Sequence, residues 1–308
     1  MCAGNVLRRL IAVFLAVVYV LLLGPVKTFA NSDGDEDRDE ATRWVPAIGV
    51  NWGLAFQETR ATVASSVLSG SDPPEFVRPP ATGTTTMFTP FVGGQFELMT
   101  PRLIGRFGQP RFFARVDLNA AWGFSYDVAR EGSPGELIRP ETGLPEGDVI
   151  GQGSVTNATV ETFMLGAGGG VAFTIDKGGR RFRIRPSVEY LREQLRIRGV
   201  VNRAVSLEPG ELLPTNFRFI EMEAEQTHTY HSIGPGVEIE VDAARLAPFT
   251  MTAFTSVKAY ALLNNDVITL QAEFEDQYGT ESAQWTFEKS GGWIYSVTLG
   301  VRLRWLPD

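Results

Sequence analysis

The stretch Tyr295-Ser-Val-Thr-Leu-Gly-Val-Arg-Leu-Arg-Trp305 decides the fold. Tyr295, Val297, Leu299, Val301, Leu303 and Trp305 recur at every second residue, with Ser296, Thr298, Gly300, Arg302 and Arg304 between them. A period of two puts each set on one face of a β-strand. Soluble half-buried strands alternate in the same way, but usually over about 5–6 residues. A longer run suits a tilted strand crossing the outer membrane, which takes about 9–11 residues.

The same alternation recurs upstream. Ile48, Val50, Trp52, Leu54 and Phe56 form one apolar row, and Val92, Phe96 and Leu98 another. Phe112, Ala114, Val116, Leu118, Ala120, Trp122 and Phe124 make a third; Phe163, Leu165, Val171, Phe173 and Ile175 a fourth. Phe182, Ile184, Val188 and Tyr190 precede Val237, Ile239 and Val241. The seventh strand, Phe249 to Leu262, is the least regular, with Phe249, Met251 and Val257 read as outward. The expected fold is all-β: an antiparallel transmembrane β-barrel of eight strands. Its connections alternate, with long ones at 57–86, 127–156, 200–218 and 263–292 and short ones at 100–110, 176–180 and 242–248. Outer-membrane barrels have this asymmetry of short periplasmic turns and long extracellular loops, which puts both termini in the periplasm. Closure is required, because an open edge in hydrocarbon leaves backbone groups unpaired. Aromatic residues at strand ends (Trp52, Phe56, Trp122, Phe124, Tyr190, Trp293, Tyr295, Trp305) suit interfacial girdles.

Outside the strands, Arg8 and Arg9 precede an apolar run from Leu10 to Leu23, and Thr28-Phe29-Ala30 follows. Residues 1–30 thus read as a secretory signal peptide. Residues 31–43 open with an acidic stretch lacking apolar residues, read as a flexible periplasmic tail; residues 44–308 make the barrel. Removing the leader takes three of 28 basic residues (Arg8, Arg9, Lys27) and Cys2, leaving 25 basic against 36 acidic. That formal charge of −11 argues against a nucleic-acid partner.

Residues 44–305 resemble the small outer-membrane barrels typified by the membrane domain of outer membrane protein A and by the adhesion/invasion barrels. The closing run Tyr295 to Trp305 resembles the C-terminal signal by which the barrel-assembly machinery recognises its clients, displaced here by the three residues Leu306-Pro307-Asp308. The resemblance implies a bacterial outer-membrane location, with lipids and lipopolysaccharide as surroundings. It carries no function-specific motif.

The rows between the apolar ones are charged toward the expected periplasmic end: Glu97, Arg115, Asp117, Arg183, Arg185, Glu238, Glu240, Arg302 and Arg304. An eight-stranded barrel has room inside for side chains only, so these residues should pair and fill the lumen; a narrow ion path is the alternative. Arg192, Arg196 and Arg198 follow the outward parity, as do Glu221, Glu223 and Glu225. An antiparallel hairpin sets the two rows against each other, and lipopolysaccharide phosphates are the other destination for the arginines. Val267 to Phe274 and Gln284 to Glu288 flank a turn-like segment and read as an extension of the last hairpin above the membrane; entry of both halves into lipid would make ten strands.

Enzyme signals are sparse. His228 and His231 are the two histidines, on opposite faces of one strand, an arrangement unsuited to a metal pair. His228, Tyr230 and Ser232 share the inward face, so His228 and Ser232 are the weak catalytic candidates. The glycines at 166, 168, 169 and 170 lie in strand without a following Lys-Ser/Thr, so they form no phosphate loop. No cofactor is expected. The reading is a structural or surface-interaction barrel, with a narrow channel and a lipid-modifying enzyme as alternatives.

Overall fold

The structure, a computed structural model, describes residues 42–67, 81–103, 109–121, 125–131, 149–161, 163–177, 180–206, 217–246, 248–277 and 279–305. The expected signal peptide, most of the expected acidic tail, Trp122, Phe124 and the last three residues lie outside them. No helix among the described residues is long and apolar enough to cross a membrane. The strands are β1 (Val45–Val67), β2 (Ala81–Met99), β3 (Arg111–Ala121), β4 (Ser125–Glu131), β5 (Val149–Val160), β6 (Phe163–Lys177), β7 (Arg180–Ser206), β8 (Phe217–Leu246), β9 (Phe249–Leu262), β10 (Ile268–Asp276), β11 (Gly279–Glu288) and β12 (Trp293–Trp305).

Eight of them pair in a closed antiparallel ring, β1-β2-β3-β6-β7-β8-β9-β12. The decisive stretch is the last strand of that ring. Its outward row lies beside that of β1, with Leu303 opposite Ile48, Leu299 opposite Trp52 and Tyr295 opposite Phe56. Ala47 pairs with Arg304, so the described chain begins and ends at the same rim, called here the lower one.

β7 shows why such long strands hold together. Its odd-numbered residues from Arg183 to Arg203 face inward without interruption. Below Tyr190 the inward residues are Arg183, Arg185, Ser187 and Glu189, while Ile184 and Val188 face out, Val188 being 58% exposed. Above it the inward residues become Leu195, Ile197 and Val201, and the outward ones Gln194, Arg196 and Arg198. The parity is constant and the polarity inverts. β1 repeats this: Trp52 and Phe56 face out below, Glu58 and Arg60 above, while inside Asn51 gives way to Ala61 and Val63.

Two tiers follow from this inversion. The lower one is apolar outside and charged inside. The upper one is polar outside and closes over an apolar core that includes Met87, Leu195, Ile197, Met222, Trp285 and Phe287. Hairpin β4–β5 stands above β3 and β6, and hairpin β10–β11 above β9 and β12. They dock on their neighbours through the β5–β7 and β1–β11 ladders.

The segments expected as long loops are therefore largely strand where described. β1 runs on to Val67 and β2 starts at Ala81; β7 reaches Ser206 and β8 starts at Phe217. The expectation failed because it sought apolar residues on the outward face, and above Tyr190 they are on the inward one. The 263–292 segment does extend the last hairpin, but β11 also pairs with β1, from Arg60 opposite Glu288 to Val67 opposite Glu281.

Trp285 fills the upper tier because Gly199 leaves it space: a Cβ there would lie 2.3 Å from the indole Cδ2. Valine suits strands better than glycine in general, yet Gly199→Val has to displace the ring. We expect it to lower stability by about 1–3 kcal/mol, read from urea unfolding of the refolded protein; an unchanged midpoint would show that Trp285 is loosely held.

Candidate functional site

The lower lumen is built by inward positions of six strands. Glu238 and Glu240 of β8 lie at its centre. Glu240 accepts hydrogen bonds from Arg183 Nη1 (2.9 Å), Arg185 Nη1 (2.9 Å), Arg304 Nη2 (2.6 Å) and Arg302. Glu238 accepts from Arg115 Nη1 (2.5 Å), Arg302 Nη1 (3.0 Å) and Arg185. Arg185 also reaches Glu97, and Arg183 donates to Asp242 at 2.5 Å. On the other side Arg115 donates to Glu189 (2.5 Å), and Lys258 Nζ stands 3.4 Å from Asp117 and 3.7 Å from Glu189.

Arg115, Arg183, Arg185, Lys258, Arg302 and Arg304 thus meet Glu97, Asp117, Glu189, Glu238, Glu240 and Asp242, six of each sign. Except for Asp242 and Lys258 their side chains are at most 4% exposed. Phenyl rings complete the packing: the Arg185 guanidinium lies 4.0 Å from the Phe113 centroid and that of Arg302 4.5 Å from Phe254. Bulk at these positions requires glycine beside them. A Cβ on Gly168 would lie 2.3 Å from Glu189 Oε2, and one on Gly300 2.3 Å from the Phe254 ring.

A second polar layer separates this cluster from the apolar core above. Gln57 and Lys289 donate to the two oxygens of Glu193 (2.9 and 2.8 Å), and the Lys289 ammonium lies 4.0 Å from the centroid of the buried Tyr230 ring. At the top, Glu281 accepts from Arg203 (3.0 Å) and Arg218 (2.8 Å), and Arg218 also donates to Asp276 (2.7 Å). Burial pushes the Glu281 carboxyl above its ordinary value, and the two arginines partly offset it. A small cavity beside Asn51, Asp117, Asn119 and Lys258 has a volume of about 20 Å³, room for about one water.

All nine expected lumen charges come together. Glu189, Lys258, Asp242 and the Gln57–Glu193–Lys289 layer were missed. Glu189 stood on the inward parity beside Ser187; Lys258 lay on the irregular β9. His228 and Ser232 do not meet, being four residues apart on β8, about 13 Å along a strand. Ser232 Oγ donates to Leu191 O at 3.3 Å, while His228 Nε2 lies 3.4 Å from Asn264 Nδ2 and 4.0 Å from Asp266. Burial holds the His228 imidazole below its ordinary value. Among the described residues no cluster of three or more His, Cys, Asp or Glu is arranged to hold a metal. Of the outward arginines, Arg198 makes a two-pronged bond to Glu223 (2.6 and 2.7 Å), Arg196 lies 4.0 Å from Glu161, and Arg192 stands opposite His231.

No protein-family model and no curated protein matches the sequence. Among solved structures, the chain is similar to Ail, the attachment invasion locus protein of Yersinia pestis: 7% identity over 83% of this chain and 98% of that one, TM-score 0.29. It is also similar to a major outer membrane protein from Thermus thermophilus, at 12% identity over 80% and 99%, TM-score 0.29. A FadL homologue of Pseudomonas aeruginosa matches at 7% identity over 91% and 95%, TM-score 0.19. Likeness at this level does not select a subfamily or an activity.

The geometry makes Arg302 the clasp of the lumen, since it joins Glu238 and Glu240 and reaches Gln95 Oε1 at 3.2 Å. Removing one partner of a buried ion cluster strands the others, at a cost of about 3–5 kcal/mol. Arg302→Met should lose that much stability in urea unfolding, and adding Glu240→Gln should recover part of it. The exposed Arg60→Met should change it by less than about 1 kcal/mol. Equal effects at the two arginines would show that the cluster is not the clasp.

Proposed function

We propose that the chain is an outer-membrane β-barrel that does not conduct, and that it holds a rigid β-structured collar outside the bilayer as a surface-interaction platform. The observation that carries this reading is the inversion of polarity at one level of the ring. An outward band of Ile48, Val50, Phe96, Phe112, Val116 and Val188, each at least half exposed, is tolerable in lipid and costly in water. Its height is right. From Tyr295 to Trp305 is ten steps of β12, roughly 33 Å of strand, or about 25 Å after the tilt of ~40° usual in barrels. Exposed Trp44, Phe249 and Trp305 rim the lower edge, while Phe56, Trp293 and Tyr295 stack at the upper edge, ring centroids 5.4 to 6.5 Å apart.

In this orientation both ends of the described chain face the periplasm, and β12 supplies the C-terminal signal for barrel assembly. Arg192 and Arg196, just above the belt, meet the phosphate layer of lipopolysaccharide. Three stacked layers oppose conduction: the compensated charge cluster, the Gln57–Glu193–Lys289 layer and the apolar core around Trp285. A collar with its own core, tied at the top by Arg203 and Arg218 to Glu281, exceeds what anchoring needs, which supports a role outside the membrane.

Fractionation and conductance test this together. The protein should appear in outer-membrane fractions, migrate differently on gels before and after boiling, and stay electrically silent in planar bilayers. Recovery in the soluble periplasmic fraction would overturn the membrane assignment, whereas defined conductance steps would overturn only the closed lumen.

A further inference from the structure

The collar contains a seam that does not zip. Among the described residues no ladder joins β8 to β10, although the two strands run side by side with Cα atoms within 8 Å. Its ends are fixed. At the base Leu263 N donates to His231 O (2.8 Å), and the Asn264 side chain stands in for a strand by accepting from His231 N (2.7 Å) and donating to Thr229 O (2.9 Å). At the top Arg218 bonds Asp276, with its guanidinium 5.8 Å from the Phe274 centroid.

These end contacts set the antiparallel register between them. It brings Glu221 opposite Glu273, both on the outward face and both exposed, with Glu223 and Glu225 below Glu221 on β8 and Glu275 above Glu273 on β10. Like charges directly opposite destabilise strand pairing. Among the described residues one arginine, Arg198, serves this row: it is ion-paired to Glu223 and stands across the β7–β8 ladder from Glu225. The backbone alternates in the same way: the groups of His231 and Thr229 point at the seam, and so therefore do those of Thr227, Glu225, Glu223 and Glu221. The inner lining is half-open as well, with Ala224, His228, Ala272 and Phe274 half-buried and Gln226 exposed.

We infer that this seam is a docking site for an extended, lysine- or arginine-rich peptide segment of a partner protein, which adds as a strand along β8. The charge of the lips selects the cation, and the unpaired edge selects the extended backbone. Seating a strand between β8 and β10 requires a gap of two strand spacings, about 9.6 Å, so the seam has only a few ångströms to open. The fixed ends limit the occupant to roughly six to nine residues, the stretch from Phe219 to Thr227 at one residue per ~3.3 Å. The inference stands on the seam itself and is separable from the membrane assignment, because it is tested in detergent.

The probe is an end-capped eight-residue peptide alternating lysine with valine, titrated by fluorescence anisotropy into the full-length protein in micelles. We expect saturable binding that weakens at least tenfold in E221Q/E273Q, with slowed amide exchange across residues 221–227. The same peptide N-methylated on alternate backbone nitrogens, and its glutamate counterpart, should not bind. Equal binding of the N-methylated peptide would reduce the site to bulk charge and overturn strand addition. Equal binding to E221Q/E273Q would overturn the seam as the locus. Self-association of the protein that protects residues 221–227 without peptide would assign the edge to a second copy and also overturn it.

Discussion

A β-strand has two faces, and in the orientation proposed above each long strand of this protein serves two solvents in succession. Along β7 and β8 the inward and outward sets keep their parity through the whole length, with no register slip in the β7–β8 ladder from Phe182 opposite Val241 to Ser206 opposite Phe217. What changes is chemistry. Below Tyr190 the outside is apolar and the inside charged; above it the assignment reverses. A one-residue slip would put arginines against lipid in one tier and leucines against water in the other, so both tiers lock the same register.

The inversion imposes opposite packing problems on the two tiers. The lower one fills a lumen of fixed width chiefly with arginines and carboxylates in multiple contact, packed against the Phe113 and Phe254 rings and seated on glycines such as Gly168 and Gly300. An ion cluster this dry is not a strong source of net stability, since desolvation offsets most of the attraction. Its role is to exclude alternatives: a missing partner is far costlier than a present one is favourable. The upper tier is packed like a soluble protein interior around Trp285 and Phe287. The two chemistries meet around Glu193 and Lys289, an ion pair with Leu191 of the apolar core on one side along β7 and Leu195 on the other.

The eight-strand ring was legible in the sequence because the outward rows obey a single rule, apolar every second residue, from Ile48 to Phe56 and again from Tyr295 to Trp305. The lumen charges were legible for the same reason, being the complementary rows. The collar was not. Its strands alternate equally well, but Leu195, Ile197 and Val201 continue the parity of Arg183 and Arg185, so a reader following outward apolar residues loses the strand at Tyr190. The seam was beyond reach of single-strand patterns, because Glu221 and Glu273 acquire meaning only once β8 and β10 are neighbours. His228 and Ser232 share a face, as their spacing says, and strand geometry holds them apart.

Spin labels placed one at a time at outward positions of β7 test the inversion most directly. Relaxation by oxygen, which partitions into lipid, and by a water-soluble nickel chelate should then be compared on the protein reconstituted in bilayers. Labels at Ile184 and Val188 should be relaxed chiefly by oxygen, and labels at Gln194, Arg198 and Asn202 chiefly by nickel, with the crossover at Tyr190 to Arg192. Nickel accessibility along the whole strand, or oxygen dominance up to Asn202, would contradict a two-solvent strand and the architecture built on it.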